Sequence, residues 1–191
     1  MKARLRIFAI FLVASVALTA AAITARNRFA DPPISLRVDR SERVMYVYEN
    51  GTPTLTFPIA VGTAKHPTPT GRFTMSEVIW NPRWVPPSSE WARNQTPKSP
   101  GDPANPMQAV KIYFKPPAYY IHGTNVPGSI GEAASHGCIR MDPADAITLA
   151  RLLMEATGVG RDDNWYADVT GNPTRSVTIA LGEAVPIVIV P

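Results

Sequence analysis

The chain has one cysteine, Cys138, and two of its three histidines, His122 and His136, fall with it inside a 17-residue stretch. A thiol beside an imidazole can carry nucleophilic acyl transfer. The thiolate attacks, and the imidazole either takes its proton or holds it as an ion pair. That imidazole needs an acceptor on its other ring nitrogen to set its tautomer. The tetrahedral intermediate needs donors aimed at its oxyanion, commonly backbone N–H groups. Gly137 directly precedes Cys138 and opens backbone conformations closed to other residues, so the amides of His136, Gly137 and Cys138 can converge on one point.

Each of these residues also has a plainer reading. A single cysteine often packs as a small hydrophobe, and a histidine often serves only as a hydrogen-bonded structural residue. Arg140 is either a solvated charge or a bidentate carboxylate clamp. Zinc is a poor rival, because structural zinc takes four closed ligands, commonly with paired cysteines. His122, His136 and Cys138 supply three, and there is no Cys-x-x-Cys pair. His66, in Lys-His-Pro, is assigned no role.

The elements that must position these groups are mainly strands. Ile34–Val38 alternates apolar and polar residues, and Arg43–Glu49 is rich in strand formers. Asn50-Gly51 then signals a hairpin into a returning strand over Leu55–Val61, and Gly71–Trp80 reads as another strand. Residues 81–109 hold seven of the 20 prolines and show no periodicity, so they read as a long functional loop. Trp80, Trp84 and Trp91 lie in or beside it and are expected to pin it to the core rather than line a groove.

Ala109–Phe114 and Ala118–Ile121 are short strands, with His122 at the end of the second. Ser129-Ile-Gly-Glu132 has capping-box spacing for a helical turn. Asp142-Pro143 opens one clear helix, whose stripe Ile147, Ala150, Leu153 and Met154 is core and which Gly158 ends. Ser176–Leu181 and Val185–Val190 close the chain as two strands. The expected fold is a mainly β sandwich or barrel with one packed helix and a Pro-rich loop.

The N-terminus reads separately. Lys2, Arg4 and Arg6 precede an uncharged run, Ile7–Ile23, with small residues at Ala20–Ala22 and Ala25. This is the pattern of a secretory signal, and its 17 residues also fit the short limit of a membrane anchor. Both readings put the domain outside the cytoplasm, in the periplasm or cell envelope, with membrane contact only through this segment. The expected organisation is a signal or anchor over 1–25, a linker over 26–33 and one catalytic domain over 34–191. Without those three basic residues, 16 of the 19 Lys and Arg face 15 acidic residues, a balance that argues against nucleic acid as a partner.

The stretch His122-Gly-Thr-Asn-Val-Pro-Gly-Ser-Ile-Gly131, followed by Ser135-His-Gly-Cys-Ile-Arg-Met141, resembles the signature of the L,D-transpeptidase (YkuD-type) catalytic domain. Pro69-Thr-Gly-Arg-Phe73 is similar to that family's turn, and Gly101-Asp-Pro-Ala-Asn-Pro-Met107 to its segment ahead of the catalytic strands. The resemblance implies a β-sandwich-like catalytic domain under a lid. It makes Cys138 the acylated nucleophile and His122 the proton acceptor and donor, held by the Gly123 carbonyl. The amides of His136, Gly137 and Cys138 would form the oxyanion hole, Ser135 would shape the site, and Arg140, Thr124 and Asn125 would contact substrate. Some members carry Asn where this chain has Arg140.

The implied reaction attacks the third residue of a peptidoglycan stem tetrapeptide, releases D-alanine, and passes the acyl group to an amine. That amine could belong to a second stem peptide, an envelope lipoprotein or a free D-amino acid. Neither metal nor organic cofactor is required. Water as acceptor would make the protein a carboxypeptidase or endopeptidase. A wall-binding β-domain without catalysis and a sortase-like enzyme are the other readings.

Overall fold

The computed structural model describes residues 31–191. The leader expected over 1–25, and most of the linker expected over 26–33, lie outside them. Among the described residues no helix is long and apolar enough to cross a membrane.

Strands β1 (Ile34–Asp39), β2 (Val44–Glu49) and β3 (Thr52–Pro58) form the expected opening meander. Asn50 and Gly51 take φ of 50° and 78°, the positive values a tight hairpin turn needs. The chain leaves β3 at Ile59 and pairs again only briefly in β4 (Val61–Gly62), so the single strand expected over Leu55–Val61 is interrupted. Then come β5 (Gly71–Trp80), β6 (Gln108–Lys115), β7 (Tyr119–Gly123), β8 (Ala133–Ser135) and β9 (Ile139–Met141). Helices α1 (Pro143–Ala156) and α2 (Asp163–Gly171) precede the last strand, β10 (Val177–Val190).

Eight strands make one mixed sheet in the order β3-β2-β1-β10-β5-β6-β7-β9. Its outer strand β9 returns to the segment after β3 through two backbone bonds, Ala60 N to Arg140 O at 2.8 Å and Arg140 N to Ala60 O at 2.9 Å. The sheet therefore nearly closes, and the fold is mainly β and barrel-like, as expected.

Other elements also differ from the sequence reading. The two closing strands are one 14-residue strand, with an irregularity between Ala180 and Val185. A Cβ at Gly182 would run into the Thr157 carbonyl, so the strand bends where it passes the end of α1. The helical turn expected from Ser129 lies earlier, at Pro127–Ser129, and the Ser129 hydroxyl donates back to Val126 O at 2.7 Å. A second helix, α2, was not expected. Asp162 caps it by accepting from Trp165 N at 2.8 Å, and Trp165 and Tyr166 pack against Trp80 with centroids 5.7 and 5.8 Å away.

The core lies on one side of the sheet. Asp142 caps α1 by accepting from Ala144 N, and Pro143 occupies its first turn. Its buried stripe, Ala146, Leu149, Ala150, Leu153 and Met154, packs with Val110, Ile112, Phe114, Ile121, Ile139 and Met141. Ile147, expected in that stripe, is only partly buried.

The Pro-rich segment is tied rather than structureless. Asn105 is buried. Its Nδ2 donates to Pro82 O at 2.9 Å and Ser99 O at 3.1 Å, and its Oδ1 accepts from Met107 N at 2.8 Å. Asn81 Nδ2 donates to Val169 O at 2.6 Å, joining the start of the segment to α2. Asn105 thus satisfies carbonyls within the segment, and Asn81 those at the end of α2. Trp80 and Trp84 are buried as expected, whereas Trp91 is 41% exposed.

Candidate active site

Strand alternation sorts the residues of β6, β7 and β9 onto two faces. The apolar set faces the core. Lys111, Tyr113, Tyr120, His122 and Arg140 occupy the other face. The registers align Lys111 with His122, and His122 with Arg140. One step back along the second register sets Cys138, just before β9, opposite Tyr120. Cys138 and His122 are therefore diagonal neighbours on one face, within reach of each other's side chains.

The turn before the cysteine depends on glycine. Gly137 has φ of 107°, and a Cβ there would lie 2.6 Å from the Tyr119 ring and 3.3 Å from Pro67 O. The Ser135 hydroxyl fixes the same turn, accepting from Gly137 N at 3.0 Å and donating to Cys138 O. The Gly137 amide is thus already engaged. The amides of His136 and Cys138 meet no acceptor among the described residues. Ser135 is itself anchored by the pairing of β4 with β8.

His122 is buried, and its Nδ1 lies 2.7 Å from Gly123 O. A carbonyl only accepts, so Nδ1 carries the hydrogen of the neutral ring and Nε2 the lone pair. Burial pulls the imidazole down to about 4 against the favourable carbonyls of Gly123 and Pro106, and the charges of Arg140 and Lys111 lower it further. The ring is neutral at pH 7. A Cβ at Gly123 would overlap Gln108 O, so glycine lets β6 approach the strand that carries His122.

Burial also raises the Cys138 thiol, opposed by hydrogen bonds from the Tyr120 amide and hydroxyl and by the charges of Arg140 and Lys111. The Tyr120 hydroxyl is itself pushed up by burial and by Cys138, while the Trp84 indole opposes that rise. The resting pair is therefore thiol and neutral imidazole, which favours general-base activation over a standing ion pair. Sγ lies 3.6 Å from Ala118 O, and among the described residues no hydrogen bond joins it to His122.

Thr124 and Asn125 lie just past the end of β7. Thr124 is buried, and its hydroxyl accepts from Val126 N at 3.1 Å. Asn125 Nδ2 donates to Pro103 O at 3.3 Å, a link to the Pro-rich segment. His136 is stacked by Trp91 of that segment, with centroids 4.1 Å apart and planes 13° from parallel. His66, given no role above, also lies beside His136, with ring centroids 4.8 Å apart. Burial first, then His66 and Arg140, lower the His136 pKa. Sequence reasoning missed Tyr120 and Lys111. Tyr120 was signalled by its place two residues before His122, and Lys111 only by cross-strand register.

Residues 33–179 match the L,D-transpeptidase catalytic domain (YkuD) family. A Bacillus licheniformis protein bearing the name L,D-transpeptidase YkuD is 33% identical over 127 residues, 66% of this chain and 64% of that protein. The Escherichia coli L,D-transpeptidase designated YbiS is 31% identical over 131 residues, 64% of this chain and 41% of the relative. The chain thus matches less than two thirds of these relatives' length. Among solved structures, L,D-transpeptidase 3 from Mycobacterium tuberculosis aligns at a TM-score of 0.52 and 16% identity, covering 84% of this chain and 62% of that one. An L,D-transpeptidase from Mycobacterium smegmatis aligns at 0.50 and 20%, covering 85% and 59%. With a family match over most of its length, and the fold of these structures, the chain belongs to the L,D-transpeptidase catalytic domain family.

Proposed function

We propose that this domain is a cysteine-dependent L,D-transpeptidase of the cell envelope that acts on peptidoglycan stem peptides. Cys138 is the nucleophile and His122 the base. The observation that carries this reading is the shared sheet face, where Cys138 is the diagonal neighbour of a buried imidazole whose free lone pair is on Nε2.

The first step moves Sγ from the Ala118 carbonyl to His122 Nε2, which takes the thiol proton as sulfur attacks the carbonyl of the donor's third residue. The carbonyl electron pair moves to oxygen, facing the free amides of His136 and Cys138. Gly137 contributes its backbone conformation, since its own amide serves Ser135. The intermediate collapses, the C–N bond to D-alanine breaks, and the imidazolium proton passes to the departing amine. In the second step an acceptor amine gives its proton to Nε2, attacks the thioester and expels the thiolate. The acceptor is a second stem peptide, with an envelope lipoprotein or a free D-amino acid as other amines of the same chemistry. Arg140 holds a donor carboxylate, and Thr124 and Asn125 position the peptide through the turn that follows β7.

The test is an intact mass after mixing the purified domain with a tetrapeptide donor, with and without an acceptor peptide. The expected result is an acyl adduct on Cys138 that converts to cross-linked product only when acceptor is present. Hydrolysis alone would make the protein a peptidase. A wild-type protein that binds the donor but forms neither adduct, cross-link nor hydrolysis product would leave only a wall-binding role, and undiminished activity in Cys138→Ala would remove Cys138 as the nucleophile.

A further inference from the structure

Arg37, Arg93, Arg151 and Arg175 each pair with a carboxylate in the described fold. Lys111 and Arg140 pair with none among the described residues, and they are the cations of the candidate site. They stand in one row across the sheet, Lys111 on β6, His122 on β7 and Arg140 on β9. Two strand spacings separate the two cations, roughly 10 Å between backbones. Both are half-buried. Lys111 is also held in place, with Nζ 4.4 Å from the Tyr113 ring centroid and 4.7 Å from that of Tyr120. The Tyr120 ring is in turn 5.5 Å from the His122 ring. Aromatic faces fix an ammonium without neutralising it, so its N–H groups remain free for an anion.

Two unneutralised cations flanking a base that must become positive during turnover work against catalysis. Each raises the energy of the imidazolium by simple Coulomb repulsion. A bound anion between them removes that penalty. Lysine meets such an anion as a point charge, arginine as a fork.

We propose that Lys111 is a substrate-binding residue which, with Arg140, receives a free carboxylate of the acyl donor beside the scissile bond. The site thereby selects anionic donors and acylates efficiently only when one is seated. This rests on the acyl-transfer reading above. The carboxylate has two sources with the same chemistry: the terminal carboxylate of the leaving residue, and a side-chain carboxylate on the residue that gives the acyl group. Lys111 is not part of the sequence signature, so it distinguishes this chain's donor preference from the chemistry of the nucleophile.

The experiment compares the wild type with Lys111→Met on three synthetic donors: one with both carboxylates free, one amidated at the side chain, one amidated at the terminus. Acyl-enzyme formation is followed by intact mass. On the free donor, Lys111→Met is expected to lose roughly tenfold to a hundredfold in kcat/KM, the scale of one charge-assisted hydrogen bond, chiefly through KM. On the donor lacking the recognised carboxylate, the same substitution is expected to cost several-fold less, and that donor identifies the source. An equal loss on all three donors overturns the proposal, because a structural or purely electrostatic role would not distinguish them. Absence of any acyl-enzyme in the wild type would instead overturn the acyl-transfer reading beneath it. If Lys111→Met fails to fold, Lys111→Gln carries the same comparison.

Discussion

Acidification should destabilise this protein through His122. The imidazole is buried, and burial holds it at about 4 in the folded chain, against about 6.5 for an unfolded histidine. The sign follows from proton binding. Between these values the unfolded chain takes up a proton that the native chain refuses, so stability falls as pH falls through 6.5 towards 4. At pH 7 the effect is almost nil. At pH 5 the unfolded state gains about 2 kcal/mol from this one group, and the full difference amounts to about 3.4 kcal/mol below pH 4. For a domain of this size, about 2 kcal/mol lowers Tm by roughly 4–8 °C. The assay is urea unfolding at pH 7 and pH 5 for the wild type and for His122→Gln. Other groups titrate in both proteins, so the difference between the two pH slopes isolates His122. The variant is expected to lose about 2 kcal/mol less on acidification than the wild type. Equal slopes would refute the neutral buried imidazole, and with it the assignment of Nε2 as the resting base.

Three further substitutions probe the site's supports. Gly137→Ala places a methyl group 2.6 Å from the Tyr119 ring at a φ of 107°; urea melts should show a loss of about 1–3 kcal/mol, and acylation of Cys138 should fail even where the variant folds. Tyr120→Phe removes a hydrogen bond that lowers the Cys138 pKa, so iodoacetamide should alkylate the thiol more slowly at pH 8, by roughly threefold; an unchanged rate would remove Tyr120 from the site. Asn105→Ala strips three hydrogen bonds, two of them buried, and should cost about 2–3 kcal/mol while raising amide exchange across residues 82–107.

The turn before Cys138, the opening strands and the first helix are legible in strong local signals. Asn50-Gly51 marks a hairpin because both residues accept positive φ, and Asp142-Pro143 marks a helix because each fits one terminal position. These are effects within a few residues. What escaped depends on partners distant in sequence. The segments 176–181 and 185–190 look like two strands, because Gly182 interrupts the pattern; only the Thr157 carbonyl against it explains one bent strand. Helix α2 is short and weakly amphipathic, and its place is set by Trp80 of β5 against Trp165 and Tyr166. Trp91 has the composition of an anchor but covers His136, because the tied Pro-rich segment delivers it there. Lys111 is an ordinary strand lysine until cross-strand register sets it beside His122.

The position of the thiol at the mouth of β9 has a physical reason. Within β9, Ile139 and Met141 must face the core, so Arg140 faces the site and one residue earlier the chain is still turning. A side chain at 138 shares the face of Arg140 without a full strand on both sides. It gains the fixed backbone of a strand end and keeps access that a residue deeper in the sheet would lose. The same placement explains the pairing of glycine and serine before it. Gly137 lets Tyr119 close against the turn, and Ser135 holds both the Gly137 amide and the Cys138 carbonyl. Those two contacts orient the backbone so that the remaining amides, of His136 and Cys138, stay unspent. Burial favours the protonated sulfur and the neutral imidazole, so the charges on this face are those of Lys111 and Arg140, which pair with no carboxylate among the described residues.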